Sequence, residues 1–75
     1  LMKNVEYNKN KNNPLEENSV KNIIAESEEK LKGNGRLLIR KSGTQPLIRV
    51  MAESENSQIM EEVVNNIVEE IKKYV

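Results

Sequence analysis

The sequence predicts an α+β fold in the order β-α-β-β-α, with a small antiparallel sheet and two helices packed on one face of it. Two stretches repeat apolar residues every three or four positions, as amphipathic helices do. Between them, two stretches of alternating residues flank the turn-forming segment S-G-T-Q-P, the pattern of a β-hairpin. A chain of 75 residues is long enough for one domain, so we expect residues 1–75 to form a single domain with a small core.

The chain begins with a predicted strand at residues 2–7, M-K-N-V-E-Y, where apolar and polar side chains alternate imperfectly. The segment N-K-N-K-N-N-P that follows is polar and ends at Pro14. We therefore expect a loop there.

The first helix is predicted over residues 18–32. Its apolar residues fall on one helical face: Val20, Ile23, Ile24 and Leu31. Asn18 or Ser19 is expected to cap its start by accepting a bond from a free backbone N–H. Gly33 is expected to end it in the left-handed conformation.

The hairpin strands are predicted at residues 36–41 and 47–54. Strand alternation places one set of side chains toward the helices: Leu37, Ile39, Ile48, Val50 and Ala52. The far side then carries Arg36, Leu38, Arg40, Leu47, Arg49 and Met51. Arg40 and Arg49 share this far side near the hairpin tip, whereas Lys41 has the opposite phase. The far side is also unusually apolar, which predicts that it packs partly against something outside this chain.

The second helix is predicted from Asn56 or Ser57 to Tyr74. Apolar residues recur along it at helical spacing: Met60, Val63, Val64, Ile67, Val68, Ile71, Tyr74 and Val75. Lys72 and Lys73 fall in the last turn, where they complement the negative end of the helix.

Charge is segregated along the chain although the formal net charge is zero. The segment from Arg36 to Arg49 contains four basic residues and no acid, while both predicted helices are rich in glutamate. The hairpin is therefore the expected anion-binding element. Tyr7 and Tyr74 are the only aromatic residues, too few for the stacking platforms that bind single-stranded nucleic acid.

Composition also restricts the chemistry. The absence of histidine and cysteine removes the usual general base and the commonest metal ligands. If the chain takes part in catalysis, we expect it to act by binding and positioning. The glutamates lack the spacing of an oxygen-ligand loop, so no metal site is expected. No apolar run has the length of a membrane span, so no membrane association is expected. The lack of cysteine fits a reducing compartment, and we expect a cytoplasmic protein.

The hairpin tip, R-K-S-G-T-Q-P-L-I-R, carries the strongest chemical signal. Arg40 and Arg49 supply planar forks that pair with phosphate oxygens and do not lose their charge. Ser42 and Thr44 add hydroxyl donors, and Gly43 lets successive backbone N–H groups converge on one point. These five residues form a candidate phosphate site. An ordinary hairpin turn with solubilising basic residues explains the same pattern.

The longer stretch R-K-S-G-T-Q-P-L-I-R-V-M-A-E closely resembles the phosphate-binding loop in the last domain of the α-D-phosphohexomutases. That family's pattern is Arg-x-Ser-Gly-Thr-Glu-Pro followed shortly by another Arg. The continuation P-L-I-R-V-M-A-E, together with N-V-E-Y and P-L-E-E-N earlier in the chain, is most similar to the branch of bacterial phosphoglucosamine mutases. Gln45 departs from the family pattern, because a glutamate usually stands there.

The resemblance implies a TATA-binding-protein-like C-terminal domain of a larger, multi-domain enzyme. In that family a phosphoserine in another domain exchanges phosphoryl groups with a hexose phosphate through a bisphosphate intermediate, and Mg²⁺ is bound by an aspartate cluster on a further domain. Neither the serine loop nor the aspartate cluster is present here, so this chain would contain no catalytic residue and would be inactive alone. Its implied role is to bind the phosphate of a hexosamine phosphate substrate through Arg40, Ser42, Gly43, Thr44 and Arg49.

Two alternatives remain open from the sequence. The same domain could belong to a phosphomannomutase or phosphoglucomutase, since sugar choice is set largely by other domains. The chain could also be a free-standing binding module for a protein or nucleic acid, although its acidic helices and few aromatic residues disfavour nucleic acid.

Overall fold

The computed structural model describes residues 1–8, 10 and 13–75 and confirms the predicted α+β architecture. The predicted loop between Tyr7 and Pro14 lies partly outside the described residues. The elements in chain order are β1 Met2–Glu6, a 3-10 turn Pro14–Glu16, α1 Asn18–Leu31, β2 Gly35–Lys41, β3 Leu47–Ser54 and α2 Ser57–Lys72.

The three strands form one antiparallel sheet in the order β1-β3-β2, so the last strand in sequence lies in the centre. Alternation along the strands gives the sheet two faces, as predicted. One face is covered by the helices and contributes buried side chains to the core: Val5, Ile48, Val50 and Ala52. We call the other one the open face; it carries Met2, Asn4, Glu6, Arg36, Leu38, Arg40, Leu47, Arg49 and Met51.

Both helices lie on the same side of the sheet and pack against each other. Helix α2 contacts β3 and β1, while α1 contacts β2. The helices complete the core with Val20, Leu31, Val63, Val64, Ile67, Val68 and Ile71. Ser27 is also buried, and its hydroxyl donates to the carbonyl of Ile23 at 2.7 Å, so this buried polar group has a hydrogen-bond partner.

The start of α1 differs from the prediction. Its cap residue is Glu17, without a side-chain cap bond, and neither Asn18 nor Ser19 serves as the cap. The reason is the preceding 3-10 turn, whose own cap is Asn13, with Oδ1 accepting the N–H of Leu15 at 3.0 Å. That turn leads directly into α1 through Glu17, whose N–H donates to the carbonyl of Pro14, so the side-chain cap lies at the start of the 3-10 turn and not at the start of α1.

Ser19 instead connects the two helices. Its hydroxyl lies 2.5 Å from the hydroxyl of Tyr74, beyond the last turn of α2. At the other end of α1, Gly33 has φ of 81°, which confirms its predicted left-handed conformation.

Helix α2 begins as predicted and ends earlier. Asn56 is the cap, and its Oδ1 accepts the N–H of Ile59 at 3.1 Å. The helix ends at Lys72 rather than Tyr74, and Val75 is 45% exposed instead of continuing the apolar face. Among the described residues, no helix combines the length and apolarity needed to cross a bilayer.

Candidate anion-binding site at the hairpin tip

Three polar residues form a row across the open face near the hairpin tip. The register pairs Arg40 of β2 with Arg49 of β3, and Arg49 in turn with Asn4 of β1. Side chains directly opposite on one face of an antiparallel sheet have Cβ atoms about 4.5–5.5 Å apart. The predicted proximity of the two arginines is therefore present in the structure.

A shallow cavity of about 280 Å³ lies over this row. We call it the arginine cavity; it is lined by Asn4, Arg40, Lys41, Ser42, Gln45, Leu47 and Arg49. Three of these side chains are cationic and none is a carboxylate. The lining therefore favours an anion, with Ser42 and the two amides as neutral hydrogen-bonding groups.

Arg40 and Arg49 have no carboxylate partner within the described part of the chain. Like charges directly opposite on neighbouring strands destabilise a sheet. The third arginine of the open face, Arg36, does have such a partner, because its Nε donates to Glu53 at 3.0 Å. Among the described residues, the arginine far from the tip therefore has an ion-pair partner and the two at the tip do not.

Arg49 does have one neutral partner. Its Nε donates to Oδ1 of Asn4 at 3.3 Å. Sequence reasoning missed Asn4, because it lies 45 positions away in the chain and only the pairing of β1 with β3 brings it beside Arg49. Its position in the alternation of β1 assigns it to a face, but nothing in the sequence fixes which strand lies next to β1.

Backbone hydrogen bonds hold the loop between β2 and β3. The N–H of Ser42 donates to Leu47 at 2.9 Å, and the N–H of Leu47 donates to Gln45 at 2.8 Å, which closes a three-residue turn at Pro46. The carbonyl of Pro46 accepts the N–H of Tyr7 at 2.8 Å, just after β1. The exit of the loop is therefore fixed to the first strand.

The hydroxyl of Ser42 organises the interior of the loop. It accepts the backbone N–H groups of Thr44 at 3.4 Å and Gln45 at 3.3 Å. Two successive N–H groups thus converge on one point, the hydroxyl oxygen of Ser42, and Gly43 allows this without a positive φ. With both N–H groups directed at its oxygen, the Ser42 O–H proton is left to donate outward.

The structure divides the predicted site residues into two groups. Arg40, Ser42 and Arg49 line the arginine cavity together. Gly43 and Thr44 do not line that cavity; they line a second depression beside Tyr7, to which Ser42 also contributes.

The register pairs Lys41 with the buried Ile48, which confirms its predicted phase opposite to Arg40. As the last residue of β2, Lys41 nevertheless lines both the arginine cavity and the second depression.

The residues present do not fit a magnesium site. All twelve acidic residues are glutamates, and within residues 1–8, 10 and 13–75 no three of them cluster. Mg²⁺ prefers carboxylate oxygens in a compact octahedral arrangement, and this chain does not provide it.

A sequence profile described as "Phosphoglucomutase/phosphomannomutase, C-terminal domain" matches residues 2–70. The chain belongs to this family. The match includes all three strands and the hairpin tip, so it confirms the resemblance that R-K-S-G-T-Q-P-L-I-R indicates.

Individual relatives give the same result. The phosphoglucosamine mutase of Zymomonas mobilis is 53% identical over 73 residues, which cover 97% of this chain and 16% of that protein. The corresponding protein of Paracoccus denitrificans is 52% identical over the same lengths. That of Haemophilus influenzae is 49% identical over 61 residues, covering 81% of this chain and 14% of the relative.

The chain therefore spans only about a sixth of the length of the curated relatives that it matches. Its predicted similarity to the C-terminal domain of bacterial phosphoglucosamine mutases is confirmed. Family membership removes support for the alternative of an unrelated binding module.

Proposed function

We propose that this chain is the C-terminal domain of a larger phosphoglucosamine mutase and binds the substrate phosphate that is not reacting. The observation that carries the proposal is the pairing of Arg40 with Arg49 on the open face, where no carboxylate of the described residues forms an ion pair with either. A phosphate dianion bound between the two guanidinium groups would remove the repulsion between them. Ser42 would add an outward-pointing hydroxyl donor.

In the proposed reaction, glucosamine 6-phosphate and glucosamine 1-phosphate interconvert through a bisphosphate. A phosphoserine in another domain exchanges the phosphoryl groups, and magnesium is bound by yet another domain. The arginine cavity would hold each phosphate in turn as the intermediate reorients. A site that recognises phosphate through charge, without contacts to a particular sugar hydroxyl, suits that requirement.

The residues of this chain would contribute by positioning. Binding energy from a phosphate remote from the reacting centre can orient the reacting end of the sugar. The apolar part of the open face, with Leu38 45% and Met2 49% exposed, suits contact with the remaining domains. Closure of those domains around the substrate would exclude water. We propose a cytoplasmic enzyme in which this domain alone is inactive.

A second candidate function is that of an enzyme acting on mannose or glucose phosphates, and the description of the matching family profile supports it. The arginine cavity serves either candidate, because all these substrates carry the same phosphate. Turnover of glucosamine 6-phosphate, mannose 6-phosphate and glucose 6-phosphate by the full-length enzyme would separate the two candidates.

The phosphate site is tested by titrating inorganic phosphate into the ¹⁵N-labelled chain. We expect the amide signals of Ser42, Gly43 and Thr44, and the Nε–Hε signal of Arg49, to shift first. Arg49→Ala should weaken binding by tenfold or more, on the order of the 1.5–3 kcal/mol of a hydrogen bond to a charged group. Arg36→Ala is the matched control, since Arg36 lies on the same face and pairs with Glu53.

Two results would overturn the proposal. One is a set of shifts confined to the helices. The other is an equal loss of phosphate affinity in the Arg36 and Arg49 variants, which would indicate a diffuse charge effect rather than a site.

A further inference from the structure

Asn4 contributes to the arginine cavity without carrying charge. It lies on the edge strand β1, directly opposite Arg49, and lines the cavity. Its Oδ1 accepts the Nε–H of Arg49. Asn4 is exposed and contributes nothing to the apolar core, so its contact with Arg49 is the main structural consequence of its identity.

The bond to Asn4 determines which edge of the Arg49 guanidinium group remains for a ligand. An arginine can present two N–H groups in parallel either from Nε and one Nη or from both Nη atoms. Because Nε–H is directed at Asn4, the first of these edges is occupied. The fork formed by the two Nη atoms is left for a bidentate partner.

The choice of an amide matters as much as its position. An aspartate at residue 4 would also accept from Nε, but its negative charge would form an ion pair with Arg49 and cancel the field that attracts an anion. A neutral oxygen orients the guanidinium group and leaves its charge uncompensated. The amide nitrogen of Asn4 also has N–H donors that can face an anion, which a carboxylate lacks.

We propose that Asn4 is a positioning residue of the anion site: it orients Arg49 so that the Nη fork faces the bound phosphate, and it does so without neutralising the arginine. The inference rests on the proposed function, since it assumes that the arginine cavity binds phosphate. It goes further in assigning a role to a strand that lies outside the hairpin motif.

The test compares Asn4→Ala and Asn4→Asp in the ¹⁵N-labelled chain, titrated with inorganic phosphate at neutral pH. Asn4→Ala should weaken phosphate binding roughly two- to tenfold, as expected for the loss of one neutral hydrogen bond. Asn4→Asp should weaken it more, by about tenfold or greater, because the new charge pairs with Arg49. Asn22→Asp is the control, since it adds the same charge on an exposed position of α1.

The Nε–Hε signal of Arg49 gives a readout that a purely structural role would not change in the same way. We expect it to be resolved in the unaltered chain and in Asn4→Asp, where an acceptor is retained, and to be lost to exchange with solvent in Asn4→Ala. A correctly folded Asn4→Asp variant that keeps this signal but binds phosphate poorly would separate orientation from charge.

The outcomes distinguish this inference from the proposed function. If Arg49→Ala leaves phosphate affinity unchanged, the proposed function fails and this inference fails with it. If Arg49→Ala weakens binding while both Asn4 variants stay within about twofold of the unaltered chain, a change of under 0.5 kcal/mol, the role of Asn4 alone is overturned. Should Asn4→Ala unfold, Asn4→Ser takes its place, since serine is neutral and lacks the amide oxygen that Arg49 contacts.

Discussion

Arg40 and Arg49 face each other across two neighbouring strands, on the side of the sheet that neither helix covers. Only Arg49 has a side-chain hydrogen-bond partner within the described residues, and that partner is the neutral Asn4. A sheet selected for stability alone would place opposite charges at such a pair. We propose that a bound anion relieves the repulsion between the two arginines.

The first prediction follows from this repulsion. Arg40→Gln should raise the free energy of unfolding of the anion-free chain by about 0.2–1 kcal/mol, because it removes a like-charge cross-strand pair. Urea unfolding at low ionic strength, in a buffer without phosphate or sulfate, measures the change. Added phosphate should stabilise the unaltered chain more than the variant, since ligand that binds only the folded state stabilises it by mass action.

Arg36→Gln is the control for this experiment. It removes the exposed ion pair with Glu53 and should lower the free energy of unfolding slightly, by about 1 kcal/mol at most. A loss of stability in Arg40→Gln equal to that in Arg36→Gln would contradict the repulsion argument.

The second prediction concerns two glycines in and beside the hairpin. A Cβ added at Gly35 would overlap the backbone carbonyl of Glu53 on the neighbouring strand, and backbone cannot move aside without breaking the pairing. Gly35→Ala should therefore lower the free energy of unfolding by about 2 kcal/mol or more, as overpacking does. Thermal and urea unfolding measure the loss.

Gly43→Ala is the matched comparison. A Cβ at Gly43 has no atom of the described residues within 4 Å, and its φ is not positive. Its stability should stay the same or rise by about 0.4–1 kcal/mol, because alanine restricts the unfolded chain. A large loss of stability in Gly43→Ala would show that the loop conformation described here is wrong. If Gly43→Ala keeps normal stability but weakens substrate binding in the full-length enzyme, the open space beside Gly43 is occupied by the substrate or by another domain.

The third prediction tests the two helix starts. Asn56→Ala should lower the free energy of unfolding by about 1 kcal/mol, since the side chain of Asn56 satisfies the N–H of Ile59 at the start of α2. Asn18→Ala should change it by less than about 0.5 kcal/mol, because Asn18 is exposed and does not cap α1. Equal losses at the two positions would mean that Asn18 does act as a cap.

The fourth prediction is a dependence on pH at the end of α2. A hydrogen bond from Lys73, together with one from Ser19, lowers the pKa of Glu70 below its ordinary value of 4.5. The unfolded chain therefore takes up a proton at Glu70 at a higher pH than the folded chain does. The contribution of Glu70 to stability is fully present above pH 4.5 and is lost as the pH falls through the lower folded pKa.

Lys73→Met removes the largest cause of that pKa shift, so stability should fall less steeply below pH 4.5 than in the unaltered chain. Lys72→Met is the control, since it removes the same charge one position away. Unfolding measured between neutral and acid pH checks the difference between the two variants. The same acid dependence in both would show that the bond between Lys73 and Glu70 at 3.1 Å has no role in it.

Much of this fold follows from the periodic spacing of apolar residues alone. The alternation around S-G-T-Q-P correctly predicts which side chains of β2 and β3 face the helices, because one face must be apolar and a slip of one residue would invert it. That is why the proximity of Arg40 and Arg49 could be foreseen. The start of α1 could not, because the 3-10 turn from Pro14 supplies an alternative to the cap that Asn18 and Ser19 suggest.

The parts of the site that escaped prediction depend on contacts between distant residues or on the end of a strand. Asn4 joins the cavity through the pairing of the first strand with the last, which no local pattern reports. Lys41 lines the cavity although its pairing with Ile48 gives it the opposite phase from Arg40, so strand alternation alone does not predict its place there. Gly43 and Thr44 match the sequence motif but do not line the arginine cavity, since a motif gives spacing and not direction.

The bond from the N–H of Tyr7 to the carbonyl of Pro46 has a consequence for any attempt to transplant the site. The ten residues R-K-S-G-T-Q-P-L-I-R contain Arg40, Arg49 and the whole turn. If they were grafted into a foreign hairpin, the carbonyl of Pro46 would lose its bond from Tyr7 and Arg49 would lose its bond to Asn4. A transplanted site would therefore need all three strands, including residues 2–7. For a designer of phosphate receptors, the first strand belongs to the graft as much as the loop does.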